Sequence, residues 1–110
     1  MAARLTKVEM EVVPDAYGDA SWLEQEGLGF EDRLEAYKRG EFGLVGVQAV
    51  ATIEVPVDGC VVVQEIRSPG LWGIESDSGD DYFEEVFQKE RETLLDMLCE
   101  LNVRIPRGTF

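Results

Sequence analysis

LVGVQAVATIEVPVDGCVVVQEI, residues 44–66, decides the fold. Val45, Val47, Ala49, Ala51, Ile53, Val55 and Val57 fall on one side of an extended chain, with Gln48, Thr52 and Glu54 opposite. That is the period of a half-buried strand. Asp58-Gly59 supplies the pair a two-residue type I′ turn favours, and Cys60 to Ile66 return as a second strand. Such a turn sets Val55 opposite Val62 and Ala51 opposite Ile66, so the apolar faces of the two strands coincide.

Downstream, Ser68-Pro69-Gly70 has Pro and Gly in the order of a type II turn, which predicts that Leu71 to Ile74 come back as a further strand of a meander. Ser76 or Ser78 then offers an N-cap, and Ser78 with Asp81 approximates a capping box. The helix they would start runs to about Leu101, with Phe83, Val86, Phe87, Leu94, Met97, Leu98 and Leu101 in one apolar stripe. No other surface in the chain is long enough to cover the aliphatic face of residues 45–57, so Leu98 is expected in the core. A helix rises less per residue than a strand, so full cover needs strong twist or help from another helix.

Upstream, residues 5–13 alternate, with Thr6, Val8, Met10 and Val12 against Lys7, Glu9 and Glu11, and Pro14-Asp15 ends the strand. Between Asp15 and Gly29 the composition is that of a loop. Ser21 can cap one helical turn there, and Trp22 is expected to pin it to the core. Phe30, Leu34 and Tyr37 recur at helical spacing, with Lys38 and Arg39 in the last turn and Gly40 as the stop. Gly43 and Gly46 read as points in a twisted strand. The expected architecture is one α+β domain over residues 1–110, in β-α-β-β-β-α order, its antiparallel sheet covered on one face by the long C-terminal helix. A chain of 110 residues organises one core.

Asp and Glu number 23 against 10 Lys and Arg, a formal charge of -13. The excess is even, with 11 acids and 5 bases before residue 56 and 12 acids and 5 bases from there on. A field of that sign repels nucleic acid and anionic membranes and draws basic partners. The sequence therefore predicts neither direct nucleic-acid binding nor membrane association. It shows no secretory leader and no apolar span of about 20 residues. Cys60 and Cys99 are isolated and read as reduced, small apolar residues, which suits the cytoplasm.

The chain has no histidine, which removes the commonest general base, the usual catalytic triads and most transition-metal sites. Neither GxGxxG nor GxxxxGK[ST] occurs. The expectation is a protein that is not an enzyme, with no catalytic residue, cofactor or metal. The densest chemistry is Glu75 to Glu85, six acids in eleven residues with no base between Arg67 and Lys89. Acids crowding a helix start, where N–H groups and the macrodipole favour them, are one reading. A calcium loop is another. It would put Asp80 where its glycine belongs if it began at Glu75, or Gly79 at a ligand position and Gln88 in place of Glu if it began at Asp77. The third is a partner-binding epitope in which Glu75, Asp77, Asp80, Asp81, Glu84 and Glu85 stand in for backbone phosphates. Trp72, between Gly70 and Gly73, either closes the core or anchors the same interface.

Ser21 to Gln25, Glu31 to Leu34, Tyr37 to Gly43 and above all GLWGIESDS at 70–78 resemble a group of small acidic proteins encoded by bacteriophages and mobile elements, over roughly residues 15–102. The resemblance implies a phage or prophage origin and carries over no catalytic residues. With the charge, it leads to a phage or mobile-element accessory protein that binds a basic host protein in the bacterial cytoplasm. Such a protein could be a DNA mimic acting against CRISPR or restriction machinery. Two alternatives remain at this point. One is a structural or packaging component of the virion, and the other is a ligand-binding protein or small enzyme using carboxylates with Tyr17, Tyr37 or Tyr82. A homodimer is also open.

Overall fold

The computed structural model describes residues 3–16, 18, 21–24 and 29–107, with the side chain of Trp22 outside them. The expectations placed on Tyr17 and on the Trp22 indole therefore lie outside the described residues. In order come β1 (Arg4–Pro14), a 3-10 turn (Ser21–Glu24), α1 (Glu31–Lys38), β2 (Leu44–Val57), β3 (Cys60–Arg67), β4 (Leu71–Glu75) and α2 (Asp80–Glu100). The chain is α+β, with a four-stranded antiparallel sheet and a C-terminal helix.

β2 is the hub, because each of the other strands pairs with it. The hairpin register is the one its turn dictates, Val55 opposite Val62 and Ala51 opposite Ile66. Asp58 (φ 47°) and Gly59 (φ 79°) supply the two left-handed residues of a type I′ turn. β1 takes the other edge, from Leu5 opposite Ile53 to Pro14 opposite Val45.

The meander is not what forms. β4 pairs with β2, along the same edge as β3 and beyond its end, so Ser68-Pro69-Gly70 interrupts one long course without reversing it. Ser68 is the reason. Its N–H donates to Ala49 O (2.9 Å) and its Oγ accepts the Ala49 N–H (2.9 Å), so the side chain prolongs the ladder. Gln48 Nε2 donates to Ser68 O at 2.9 Å. Glu90 of α2 closes the arrangement, accepting the Ser68 hydroxyl at 2.8 Å and the Gly70 N–H at 2.6 Å. The extra residue that remains is a bulge, with Gly70 at φ 92°.

α2 packs on β2 through Leu94 and Leu98, both without solvent exposure, against Leu5, Ala49, Ala51, Ile53 and Val103. Val86 extends the contact to Val47 and Ile74. The two alanines let the helix approach closely. Glu90 fills the place where the apolar stripe breaks between Phe87 and Leu94. The predicted start of α2 needs correcting: Gly79, at φ 94°, stands at the N-cap with no side-chain cap, and Ser78 Oγ turns back to donate to Glu75 O at 2.6 Å. Leu101 is exposed past the helix end and belongs to no core. Asn102 (φ 60°) turns the chain there, with its N–H on Cys99 O and the Val103 N–H on Leu98 O, a Schellman ending. The tail then returns beside β1, where Leu5 N donates to Arg104 O at 2.8 Å.

α1 ends in the same way at Gly40 (φ 74°), where the Glu41 N–H reaches Ala36 O. Its apolar side, Phe30, Leu34, Ala36 and Tyr37, packs with Leu23 and Phe42 in a separate cluster. It therefore gives α2 no help over the sheet, and the turn end of the β2–β3 hairpin extends uncovered. Val57, Val61, Val62 and Val63 are exposed there. Cys60 and Cys99, read as reduced, small apolar residues, are both free thiols and both exposed. The long axis reaches 61 Å, with a radius of gyration of 18.2 Å, against about 13 Å for a compact chain of this length.

Candidate partner-binding site

The acid-dense segment leaves the sheet at the end of β4. Glu75 lies opposite Leu44 in the ladder, and Ser76 prolongs the pairing, donating its N–H to Gly43 O (2.8 Å) and accepting the Gly43 N–H on Oγ (2.9 Å). The chain is thus held to β2 up to the residue before Asp77. α1 then supplies Arg33. Its guanidinium lies 3.8 Å over the Phe42 ring, forms a bidentate pair with Asp77 at 2.9 Å on both branches, and forms an ion pair with Glu75. The hydrogen bond from Arg33 holds the Asp77 carboxyl below its ordinary range, and the same bond raises Arg33.

Arg33 divides the predicted epitope. Glu75 and Asp77 share the single Arg33 guanidinium within the molecule, whereas Asp80, Asp81, Glu84 and Glu85 are exposed on the first two turns of α2. The outer face of the helix continues the series with Glu92, Asp96 and Glu100, all exposed, and Lys89 is the base among them. Sequence reasoning stopped at Glu85 because the acids thin out after it. The signal was present in the helical spacing, since Asp81, Glu85, Glu92 and Asp96 all lie on the side away from Leu94 and Leu98.

Elsewhere the acids of the sheet are matched, as are Glu35 and Glu41, while Glu31, Asp32 and Asp58 enter no ion pair among the described residues. Arg4 pairs with Glu54 (3.2 Å), Lys7 with Glu9 (3.1 Å), Arg67 with Glu11 and Glu65 (3.1 and 3.0 Å), and Arg39 with Glu35 and Glu41. Among the described residues no α2 carboxylate takes part in an ion pair. Eight acids and two bases give α2 a charge of -6, close to half the total on a fifth of the chain.

Trp72 is neither a closed core residue nor a free one. Its indole lies on Gly46, where any Cβ would fall well inside van der Waals contact, and Nε1 donates to Pro69 O at 2.9 Å. Gly46 is therefore a seat for the ring. With 42% of its surface exposed, Trp72 faces a cleft lined by Pro14, Asp15 and Ala16. It also shares an open groove of about 650 Å³ with Arg33, Tyr82, Glu75 and Asp77. Tyr37 is packed at 5.6 Å from Phe42 and does not line that groove. Among the described residues no group of three or more Asp, Glu or Cys side chains is placed to hold a metal ion. Among the described residues no helix is long and apolar enough to cross a membrane. No family model, curated protein or solved structure matches the chain.

Proposed function

We propose that this protein works by binding and not by catalysis, presenting the outer face of α2 to the basic groove of a nucleic-acid-binding host protein. In this reading it is an accessory protein of a phage or mobile element acting in the bacterial cytoplasm, a DNA mimic that inhibits a defence nuclease complex of the CRISPR or restriction kind. The observation that carries it is the segregation of charge: the sheet acids Glu9, Glu11, Glu54, Glu65 and Glu75 are held in internal ion pairs, while among the described residues the α2 carboxylates enter none along about 31 Å of helix. The β-α-β-β-β-α order serves as the platform. The helix covers one face of the sheet with its apolar stripe, and that packing turns Asp81, Glu84, Glu85, Glu92 and Asp96 to solvent.

The charge is dilute beside nucleic acid. Thirteen net charges over 61 Å give one per roughly 5 Å, against one per roughly 1.7 Å for duplex DNA. Mimicry on this scale competes for the phosphate-binding part of a groove and reads no base sequence. Trp72 and Tyr82, both half-exposed beside the start of α2, supply the aromatic contact that interfaces favour.

The test is affinity capture from a bacterial lysate at low and high salt, with duplex DNA as competitor. A nucleic-acid-binding partner released both by salt and by DNA supports the reading. Its loss with Glu85→Lys, Glu92→Lys and Asp96→Lys combined places the contact on α2. A partner that still binds DNA in the complex, or a virion protein as the sole partner, overturns it.

A further inference from the structure

We propose that the exposed edge of β3 is a self-association surface, on which β3 of a second copy pairs antiparallel about a two-fold axis at Val62. β3 ends the sheet, with nothing beyond it among the described residues. Because the two-residue turn makes Val57 and Cys60 a hydrogen-bonded pair, Cys60, Val62, Gln64 and Ile66 direct their backbone groups to β2. Val61, Val63, Glu65 and Arg67 direct theirs outward. Edge strands of this kind are ordinarily blunted by Lys, Pro or bulges. Residues 60–64, Cys-Val-Val-Val-Gln, contain none of these. Val61 and Val63 are 61% and 62% exposed.

Three observations favour a second copy over an unrelated chain. The edge is complementary to itself: a centre at Val62 sets each outward-bonding Val61 against the partner's Val63 and each Val62 against its counterpart. Six valines are thereby brought together on an otherwise solvated edge. The arm is also a charge-poor part of an acidic molecule, since Asp58 is the one charge between Val55 and Gln64. Two copies can approach there with little charge repulsion. Finally, a two-fold axis normal to the sheet keeps α2 of both copies on one side, with three strand intervals between the two β2 strands. At about 4.8 Å per interval the two β2 strands stand roughly 14 Å apart, and the helices, packed at Val47 to Ile53 to one side of the Val55 level, are also displaced in opposite directions along the strands, so they lie beyond the Debye length of about 8 Å at physiological salt. Association through β3 therefore leaves both acidic faces free, and it does not depend on what binds them.

The interface is small, so the species should interconvert with concentration. Sedimentation velocity on the full-length protein, over about a hundredfold range of concentration, should show monomer passing to dimer. Added salt should shift the balance to dimer, opposite to its effect on a basic partner. Val63→Pro removes an outward N–H without touching the β2 ladder and should stay monomeric with an unchanged circular dichroism spectrum. Val63→Lys decides the matter if the proline variant does not fold. Val62→Cys in a Cys60→Ser, Cys99→Ser background should oxidise to a cross-linked dimer, because directly opposed Cβ atoms stand about 4.5–5.5 Å apart. A wild-type protein that remains monomeric at every concentration and salt overturns the proposal. So does a Val63→Lys protein that dimerises like wild type, or a Val62→Cys protein that fails to cross-link when concentrated.

Discussion

Ser68→Ala removes one oxygen from the most connected point of the fold. The Ser68 side chain is 1% exposed, and its Oγ both accepts the Ala49 N–H and donates to Glu90. In the alanine variant the Ala49 N–H, on a residue with no solvent exposure, has no acceptor, which costs about 1–3 kcal/mol. Glu90 keeps the Gly70 N–H but loses a hydrogen bond to a charged acceptor, a bond of about 1.5–3 kcal/mol in favourable cases. The two losses share one atom and do not add in full, so the expected total is about 2–4 kcal/mol. Against a stability of about 5–15 kcal/mol that is a large fraction. Urea unfolding at neutral pH should show a lower midpoint with an unchanged slope. Ser76→Ala, which removes an exposed hydroxyl from the same kind of ladder contact, is the control and should cost less than half as much. Equal midpoints for the two variants would refute the argument that burial makes Ser68 the strut of the bulge.

Leu98→Ala opens a cavity where α2 meets Ala49, Ala51 and Ile53 and should cost about 2–5 kcal/mol by the same measurement, with an unaltered midpoint as the contrary result. The Arg33–Asp77 pair gives a pH dependence of known sign. Arg33 depresses the folded-state pKa of Asp77, so its contribution is whole above the unfolded value of 3.8 and is lost as pH falls through the lower folded value. Asp77 is well exposed, so the effect stays within about 1 kcal/mol. Asp77→Asn should narrow the stability gap to wild type as the pH drops below that range, and a gap that widens on acidification would contradict the pairing.

What could be read from the sequence was whatever had a short period or a paired signal. The Asp58-Gly59 turn fixed the hairpin register, and the Leu94 and Leu98 stripe located the helix face that meets the sheet. The misreadings share one cause, which is that a side chain took over a backbone role. Ser68-Pro69-Gly70 has the composition of a turn, and only the bond from Ser68 Oγ to a strand that lies 19 residues away makes it a bulge. Ser78 has the composition of a cap but bonds backward to Glu75. For the candidate site, Asp80, Asp81, Glu84 and Glu85 were legible as a dense run. Glu92, Asp96 and Glu100 were legible only through the helical period, which sets them away from Leu94 and Leu98, and not as a run. That Arg33 pairs with both Glu75 and Asp77 could not be foreseen, since its bond to Asp77 joins residues 44 apart in the chain.

The separate cluster around α1 bears on how the molecule opens. Leu23, Ala36 and Phe42 pack with Phe30, Leu34 and Tyr37 and with little of the sheet, so these residues can come apart without disturbing β2. Arg33, through Glu75 and Asp77, is the clasp that ties this unit to the start of α2. In hydrogen exchange, amides of α1 should report a local opening well below the global free energy, while those of β2 at Val47, Ala49 and Ala51 wait for complete unfolding. Releasing the clasp would free two more carboxylates just before α2, so the amount of negative charge the protein displays is coupled to the opening of the α1 unit.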